Sequence, residues 1–320
     1  MKTEILCTLG PSSLNKKFLR YSKNNIDLLR LNLSHLSLKS LETTIKYIRK
    51  YTNTPICIDT EGAQIRTKVK VKKKFKKKNF FKVNLSKKNS LFYPDYINEK
   101  LKKNDILEIG FNGLVVKLIK KNKKFIYFQV LKSGLLETNK GVHITNRKIK
   151  MKFLTEKDIS AIKIAKKYKI RNFALSFTNT IKDISNFNLI LKKENKIFKI
   201  ETKKALKNIK FISKRGDNFL IDRGDLSKDI KVENTPLAQR KIINECNKNK
   251  KKVYVATNFL ESMINENVVN RGEINDIYST LEQGATGLVL AAETAIGKNP
   301  IDSVKTLKKI IKIFKKNTYV

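Results

Sequence analysis

KIFKIE, Lys196 to Glu201, decides how this chain is read. The run is too short for a buried helix and rich in Ile and Phe, so it reads as a buried strand of a parallel sheet. Its end breaks the apolar rule with Lys199 and Glu201. Further on, NFLIDRG (Asn218–Gly224) runs into Arg223-Gly224-Asp225-Leu226 and breaks it again. A pair of carboxylates can hold a hard divalent metal through oxygen. Nearby Lys and Arg can neutralise a phosphoryl group as it moves. Alone, KxE and RGD are weak motifs, since a charge pair at a strand end is usually a solvated salt bridge.

Similar runs lie on either side. They are ILCTLG (Ile5–Gly10), IDLLRLNLS (Ile26–Ser34), PICID (Pro55–Asp59), FALSF (Phe173–Phe177), VYVAT (Val253–Thr257) and GLVLAAE (Gly287–Glu293). Between them come helical patterns such as Leu38–Tyr51, Glu156–Tyr168, Pro236–Asn247 and Pro300–Phe314, two of them opening on a proline that a first turn tolerates. About eight strand–helix repeats predict an α/β fold, the (β/α)8 TIM barrel. The cycle breaks once. From about Ile65 to Lys150 the pattern alternates with period two, as in FFKVNL and NGLVVKLI, with turns expected at 103–105 and 110–113. This predicts a small β-barrel inserted after strand three, a β-rich lid over residues 68–146, with the barrel domain formed by 1–67 and 147–320.

Polar residues then gather at strand ends, where barrel enzymes build their sites. Arg30, Asn32, Ser34 and His35 follow strand two, and Asp59 and Thr60 follow strand three. Ser176, Lys199 with Glu201, Arg223 with Asp225, Thr257, and Glu293 with Thr294 end the later strands. Rim residues are polar anyway, but solvation alone does not explain so many chemical types in otherwise apolar runs.

The chain has 320 residues, 40% of them hydrophobic, enough for a substantial core. Its formal net charge of +42 invites a nucleic-acid reading. The basic residues are mostly lysines spread along the whole chain beside many Asn and Ile, which points to compositional drift, with nucleic acid not expected as a partner. The densest run, KVKVKKKFKKK (Lys68–Lys78), has one aromatic, Phe75, so any nucleic-acid affinity there should be non-specific. Three scattered cysteines, Cys7, Cys57 and Cys246, have no metal-ligand spacing. No signal-like N-terminus and no membrane span is apparent, so a cytoplasmic location is expected.

Together the segments resemble pyruvate kinase. They include TEILCTLGPSS (Thr3–Ser13), LRLNLSH (Leu29–His35), IDTEGAQIRT (Ile58–Thr67), KGVHI (Lys140–Ile144), LTEKDI (Leu154–Ile159) and ALSF (Ala174–Phe177). After KIE and RGDL come PLAQ (Pro236–Gln239), ATNFLESM (Ala256–Met263), NRGE (Asn270–Glu273) and AAETAIGKNP (Ala291–Pro300). The resemblance implies a phosphotransferase that takes phosphoenolpyruvate and ADP to pyruvate and ATP in glycolysis. It implies that Lys199 stabilises the moving phosphoryl group and the enolate, and that Arg30 contacts the phosphate. Glu201 and Asp225 would bind Mg2+ or Mn2+. Gly224 and Asp225 would offer backbone amides to the substrate carboxylate, and Thr257 would assist protonation. Asn32, Ser34, Asp59 and Thr60 match potassium ligands, and His35, Arg66 and Lys140 match nucleotide contacts. A homo-oligomer is left open.

There are departures from the family pattern. Phe198 and Asp222 stand where small residues are usual, Asn258 where Gln is usual, and Leu36 where Gly is usual. Glu61, Ala63 and Gln64 alter the TKGPEIR pattern, and the resemblance links the position of Gln64 to potassium dependence. The family's C-terminal regulatory domain is expected to be absent. Two other readings stay open: a metal-dependent lyase or aldolase of the phosphoenolpyruvate/pyruvate barrel group, and a non-catalytic paralogue. Lys199→Met is expected to abolish transfer and leave the fold intact.

Overall fold

The computed structural model describes residues 2–85, 91–110 and 113–317. All eight runs form strands: β1 (Glu4–Thr8), β2 (Leu28–Asn32), β3 (Ile56–Asp59), β4 (Asn172–Leu175), β5 (Asn195–Ile200), β6 (Asn218–Asp222), β7 (Lys252–Ala256) and β8 (Gly287–Leu290). They are parallel, each paired with its neighbour in sequence, and β1 pairs with β8 to close the barrel. The register sets Glu4 opposite Gly287 and Lys199 opposite Leu220.

The helices start where side chains can satisfy their free N–H groups. Ser37 caps Leu38–Tyr51, whose buried face is Leu41, Ile45 and Ile48. Thr180 with Asp183, and Asn270 with Glu273, form capping boxes for Ile181–Ile190 and Arg271–Glu282. Pro236 lies in the first turn of Thr235–Lys248.

Alternation along the strands positions the site. Leu6, Leu28, Cys57, Ala174, Ile197, Leu220, Tyr254, Ala256 and Val289 form one buried cluster, the apolar filling of the barrel. Side chains two residues apart share a face. The next inward position along six strands is therefore Thr8, Arg30, Asp59, Ser176, Lys199 and Asp222. Phe198 lies on the opposite face. It is fully buried and packs edge-on to Phe187, with Phe219 also at a centroid distance of 6.1 Å. This departure from the family pattern fills the layer between sheet and helices, not the site.

Residues 63–155 form a second compact unit, wider at both ends than the 68–146 read from the alternation. Seven antiparallel strands run in the order Phe80–Asn84, Phe125–Lys132, Leu114–Lys121, Ile106–Ile109, Gly141–Ile144, Ile65–Thr67 and Phe92–Tyr93. They wrap a core that includes Leu107, Leu114, Val116, Leu118 and Phe128. A two-stranded ribbon pairs Gly134–Leu136 with Lys73–Phe75. Arg147 belongs to this unit because its guanidinium forks onto both carboxylate oxygens of Asp105. The turn expected at 103–105 holds Asn104 at a φ of 71°. That at 110–113 includes Phe111 and Asn112, which lie outside the described residues. In the lysine-rich run, Phe75 is buried in this core, so the run presents lysines without a stacking ring.

All three cysteines are buried and unpaired. Among the described residues no helix is long and apolar enough to cross a membrane.

Candidate active site

Lys199 is the hub of the upper layer. Its ammonium lies 2.8 Å from Glu201 Oε1 and 3.4 Å from both Asp59 Oδ2 and Asp222 Oδ2, and its side chain is 4% exposed. It also donates to Ser176 Oγ at 3.2 Å. Arg30 forks onto Asp59 through Nε at 2.9 Å and through Nη2, while Nη1 donates to Thr8 Oγ1 at 2.9 Å. Ser176 donates to the other oxygen of Asp59 at 3.2 Å. Two buried cations and three buried carboxylates thus interlock at the end of the barrel.

Burial alone would lower the pKa values of Lys199 and Arg30, but the carboxylates around them, Asp59 foremost, overcome it and raise both. Burial alone would raise that of Asp59, but Arg30 and Lys199 pull it below the usual range. Glu201 is the exception. Burial, opposed by Lys199 and reinforced by Asp222 and Asp225, pushes its pKa up to about 7.

Glu201 follows β5, and its Oε2 accepts the Phe177 N–H at 2.5 Å. Its Oε1 is buried and accepts no directed hydrogen bond. Asp225 sits in the first turn of the helix Arg223–Ile230. Oxygens of Glu201, Asp222 and Asp225 lie within 4.8 Å of one another. Hard anionic oxygens, one of them accepting no directed hydrogen bond, suit a magnesium-like ion.

Thr257 follows β7 at a φ of 76°, and Asn258 at 59°. A β-branched residue there stores strain of about 1–3 kcal/mol. Its Oγ1 accepts the Gly224 N–H at 3.0 Å, so hydroxyl and helix start are coupled. Arg223 is the clamp. It donates to the Thr257 carbonyl through Nε at 3.1 Å and through Nη2, and reaches both Asp276 oxygens from Nη1 at 2.9 and 2.7 Å. Its guanidinium stacks 4.3 Å from the Phe259 ring centroid. Proximity to Asp225 in sequence suggested a cation for phosphoryl chemistry; the structure gives Arg223 a scaffolding role instead.

Three of the four residues expected to hold potassium use their side-chain oxygens in the fold. Asn32 Oδ1 accepts the Ser34 N–H at 2.9 Å, and Thr60 Oγ1 accepts the Ser176 N–H at 3.0 Å. Asp59 is engaged as described. The residues expected to meet nucleotide are divided: His35 is exposed on the barrel unit, while Arg66 and Lys140 belong to the inserted unit. There Arg66 donates to the Asn139 carbonyl at 3.3 Å, and Lys140 pairs with Glu137 at 3.3 Å.

Sequence reasoning missed Thr8 and left Ser176 without a role. The two-residue count upward from Leu6 and Ala174 was the signal that reaches both. It also missed Asp158, wholly buried, which accepts the Glu61 and Gly62 N–H groups and fixes the turn after β3. Gly62 has a φ of 65°, and a Cβ there would stand 2.6 Å from the Ser176 carbonyl oxygen, so only glycine fits.

Comparison with known proteins agrees with this architecture. Residues 1–304 match the family model for the pyruvate kinase barrel domain. A pyruvate kinase of Methanocaldococcus jannaschii is 33% identical over 317 residues, covering 98% of this chain and 69% of the relative. One from Staphylococcus haemolyticus is 32% identical over 330 residues, covering 97% and 56%. One from Thermotoga maritima is 30% identical over 327 residues, covering 97% and 70%. The chain thus spans between 56% and 70% of the length of these three relatives. With the barrel matched almost end to end, the chain belongs to the pyruvate kinase family.

Proposed function

We propose that this chain transfers the phosphoryl group of phosphoenolpyruvate to ADP, giving pyruvate and ATP. The observation that carries the reading is the Lys199 ammonium, buried between Asp59, Glu201 and Asp222 at the C-terminal end of the barrel strands. A fixed cation in a dry site stabilises charge that develops on a phosphoryl group and on an enolate. Arg30 would bind the phosphate, since three of its five N–H groups are engaged and two remain. The substrate carboxylate would lie at the start of the helix Arg223–Ile230, at the Asp225 amide and at the Gly224 amide, which it would take over from Thr257 Oγ1. A terminal oxygen of ADP attacks phosphorus as the bond to the enol oxygen breaks. The resulting enolate takes a proton at its methylene carbon, with Thr257 on that side. Mg2+ or Mn2+, held by Glu201 and Asp225, would supply charge neutralisation to both substrates. Asn32, Ser34, Asp59 and Thr60 for potassium, and His35, Arg66 and Lys140 for the nucleotide, rest on the family resemblance.

The test is a coupled assay with purified protein, phosphoenolpyruvate, ADP and Mg2+, following pyruvate by its reduction and ATP by luminescence. Equal yields of both products, dependent on all three additions, are expected. Release of pyruvate without ATP would indicate a lyase-like or hydrolytic reaction, and no turnover would indicate a binding paralogue.

A further inference from the structure

Asp222 is the residue that the family pattern does not account for. It ends β6, two residues above the interior Leu220, and so points into the barrel mouth. It is 6% exposed. Its one ion pair is the 3.4 Å approach to Lys199, and among the described residues its carboxylate accepts no hydrogen bond. Buried carboxylates ordinarily take several. Lys199 has a nearer partner in Glu201 at 2.8 Å. Without Asp222 the buried layer would balance, with Arg30 and Lys199 against Asp59 and Glu201. Asp222 adds a third carboxylate to that layer, and Asp225, paired with Lys228 at 2.7 Å, stands beside it. A surplus of buried carboxylates is costly unless a proton or a cation arrives.

We infer that Asp222 is a third carboxylate ligand of the divalent ion, one that tightens its binding in the substrate-free protein. This rests on the phosphotransfer reading for the identity of the ion. The geometry fits. Metal–oxygen bonds of about 2.1 Å put ligand oxygens roughly 3 to 4.2 Å apart in an octahedral shell. The oxygens of Glu201, Asp222 and Asp225 lie within 4.8 Å, so small side-chain rotations close them on one ion. The second pointer is Glu201 Oε1, buried in the same cluster, met by the Lys199 ammonium at 2.8 Å but accepting no directed hydrogen bond. Mg2+ sites with one or two carboxylates generally rely on substrate phosphates to complete the ion's shell, and affinity rises with the number of charged ligands. A third anionic oxygen shifts binding toward the substrate-free protein.

The test titrates Mn2+ into purified protein without phosphoenolpyruvate or ADP, and measures free Mn2+ by its electron paramagnetic resonance. One Mn2+ per chain, displaced by Mg2+, is expected. Asp222→Asn, which keeps shape and removes charge, and Asp222→Ala should each weaken binding at least tenfold, with circular dichroism unchanged. Asp222→Glu should recover part of the loss. A parent that binds no Mn2+, or folded Asn and Ala variants that bind within twofold of the parent, would overturn the inference. An active parent with unchanged Mn2+ affinity in Asp222→Asn defeats this inference and spares the phosphotransfer reading. An inactive parent that loses Mn2+ with Asp222 does the reverse.

Discussion

Lys199→Met should damage the fold as well as the chemistry. Methionine matches the length of the side chain and removes its charge. It leaves Glu201 Oε1 without the ammonium at 2.8 Å, and Asp59 and Asp222 without the one at 3.4 Å. Removing one partner from a buried ion pair costs about 3–5 kcal/mol, because the other charge stays buried. At roughly 2–4 °C per kcal/mol, the melting temperature should fall on the order of 10 °C. The carboxylates can escape by taking up protons, and that uptake is easier in acid by about 1.4 kcal/mol for every tenfold rise in proton concentration. The loss should therefore be larger at pH 8 than at pH 5.5, where protonation costs less. Mg2+ should restore more stability to the variant than to the parent, since the ion neutralises the same oxygens. Urea unfolding at both pH values, with and without Mg2+, measures all three effects. A variant within about 1 kcal/mol of the parent at pH 8, or a loss independent of pH, would refute the claim that Lys199 holds this layer together. Turnover should fall at least ~100-fold at a temperature where the variant stays folded.

Glu201→Gln and Asp225→Asn should each raise the Mg2+ concentration for half-maximal activity about tenfold or more; an unchanged requirement in both would move the metal elsewhere. Arg223→Lys should cost about 2–3 kcal/mol in urea unfolding and lower kcat, since an ammonium cannot hold the Thr257 carbonyl and Asp276 together as the fork does. In metal-free buffer, Glu201 holds its proton to about pH 7 when folded but loses it near 4.5 when unfolded. Parent stability should therefore fall relative to Glu201→Gln as pH rises from about 4.5 to 7, by on the order of 3 kcal/mol, and level off above. A constant difference across unfolding curves at pH 5, 6, 7 and 8 would contradict that sign.

Much of the barrel was legible because buried parallel strands write themselves as short apolar runs, and the ends of each of the eight lie within three residues of their expected places. Residue identity at the mouth was legible too, since a charge inside such a run needs a reason. Direction was harder. Phe198 and Asp222 looked like equal departures from the family pattern, yet one faces the helices and the other the metal cluster. The period-two count separates them, provided an interior residue anchors its phase. Arg223 was misread because its partners, Thr257 and Asp276, are more than thirty residues away in the chain. The inserted unit exceeds the expected 68–146 at its start because Ile65–Thr67 pairs with Gly141–Ile144, and at its end because Arg147 forks onto Asp105, both long-range contacts. The consequence of removing Lys199 was equally invisible, since the three carboxylates around it come from three different strand ends.

Barrel closure also bears on the order in which the molecule assembles. β1 and β8 seal the ring by pairing Glu4 with Gly287, contacts that span nearly the whole chain. Such non-local pairing forms slowly, after local helices and neighbouring strands. Thr8, Arg30, Asp59, Ser176, Lys199 and Asp222 come from six of the strands in that ring, and Thr8 enters through β1. A half-closed intermediate would therefore hold the Lys199 carboxylates and the Arg30–Thr8 contact, which joins adjacent strands, while Thr294 still lacked the Thr8 carbonyl across the open seam. Recovery of turnover during refolding should coincide with ring closure and lag the return of helical signal.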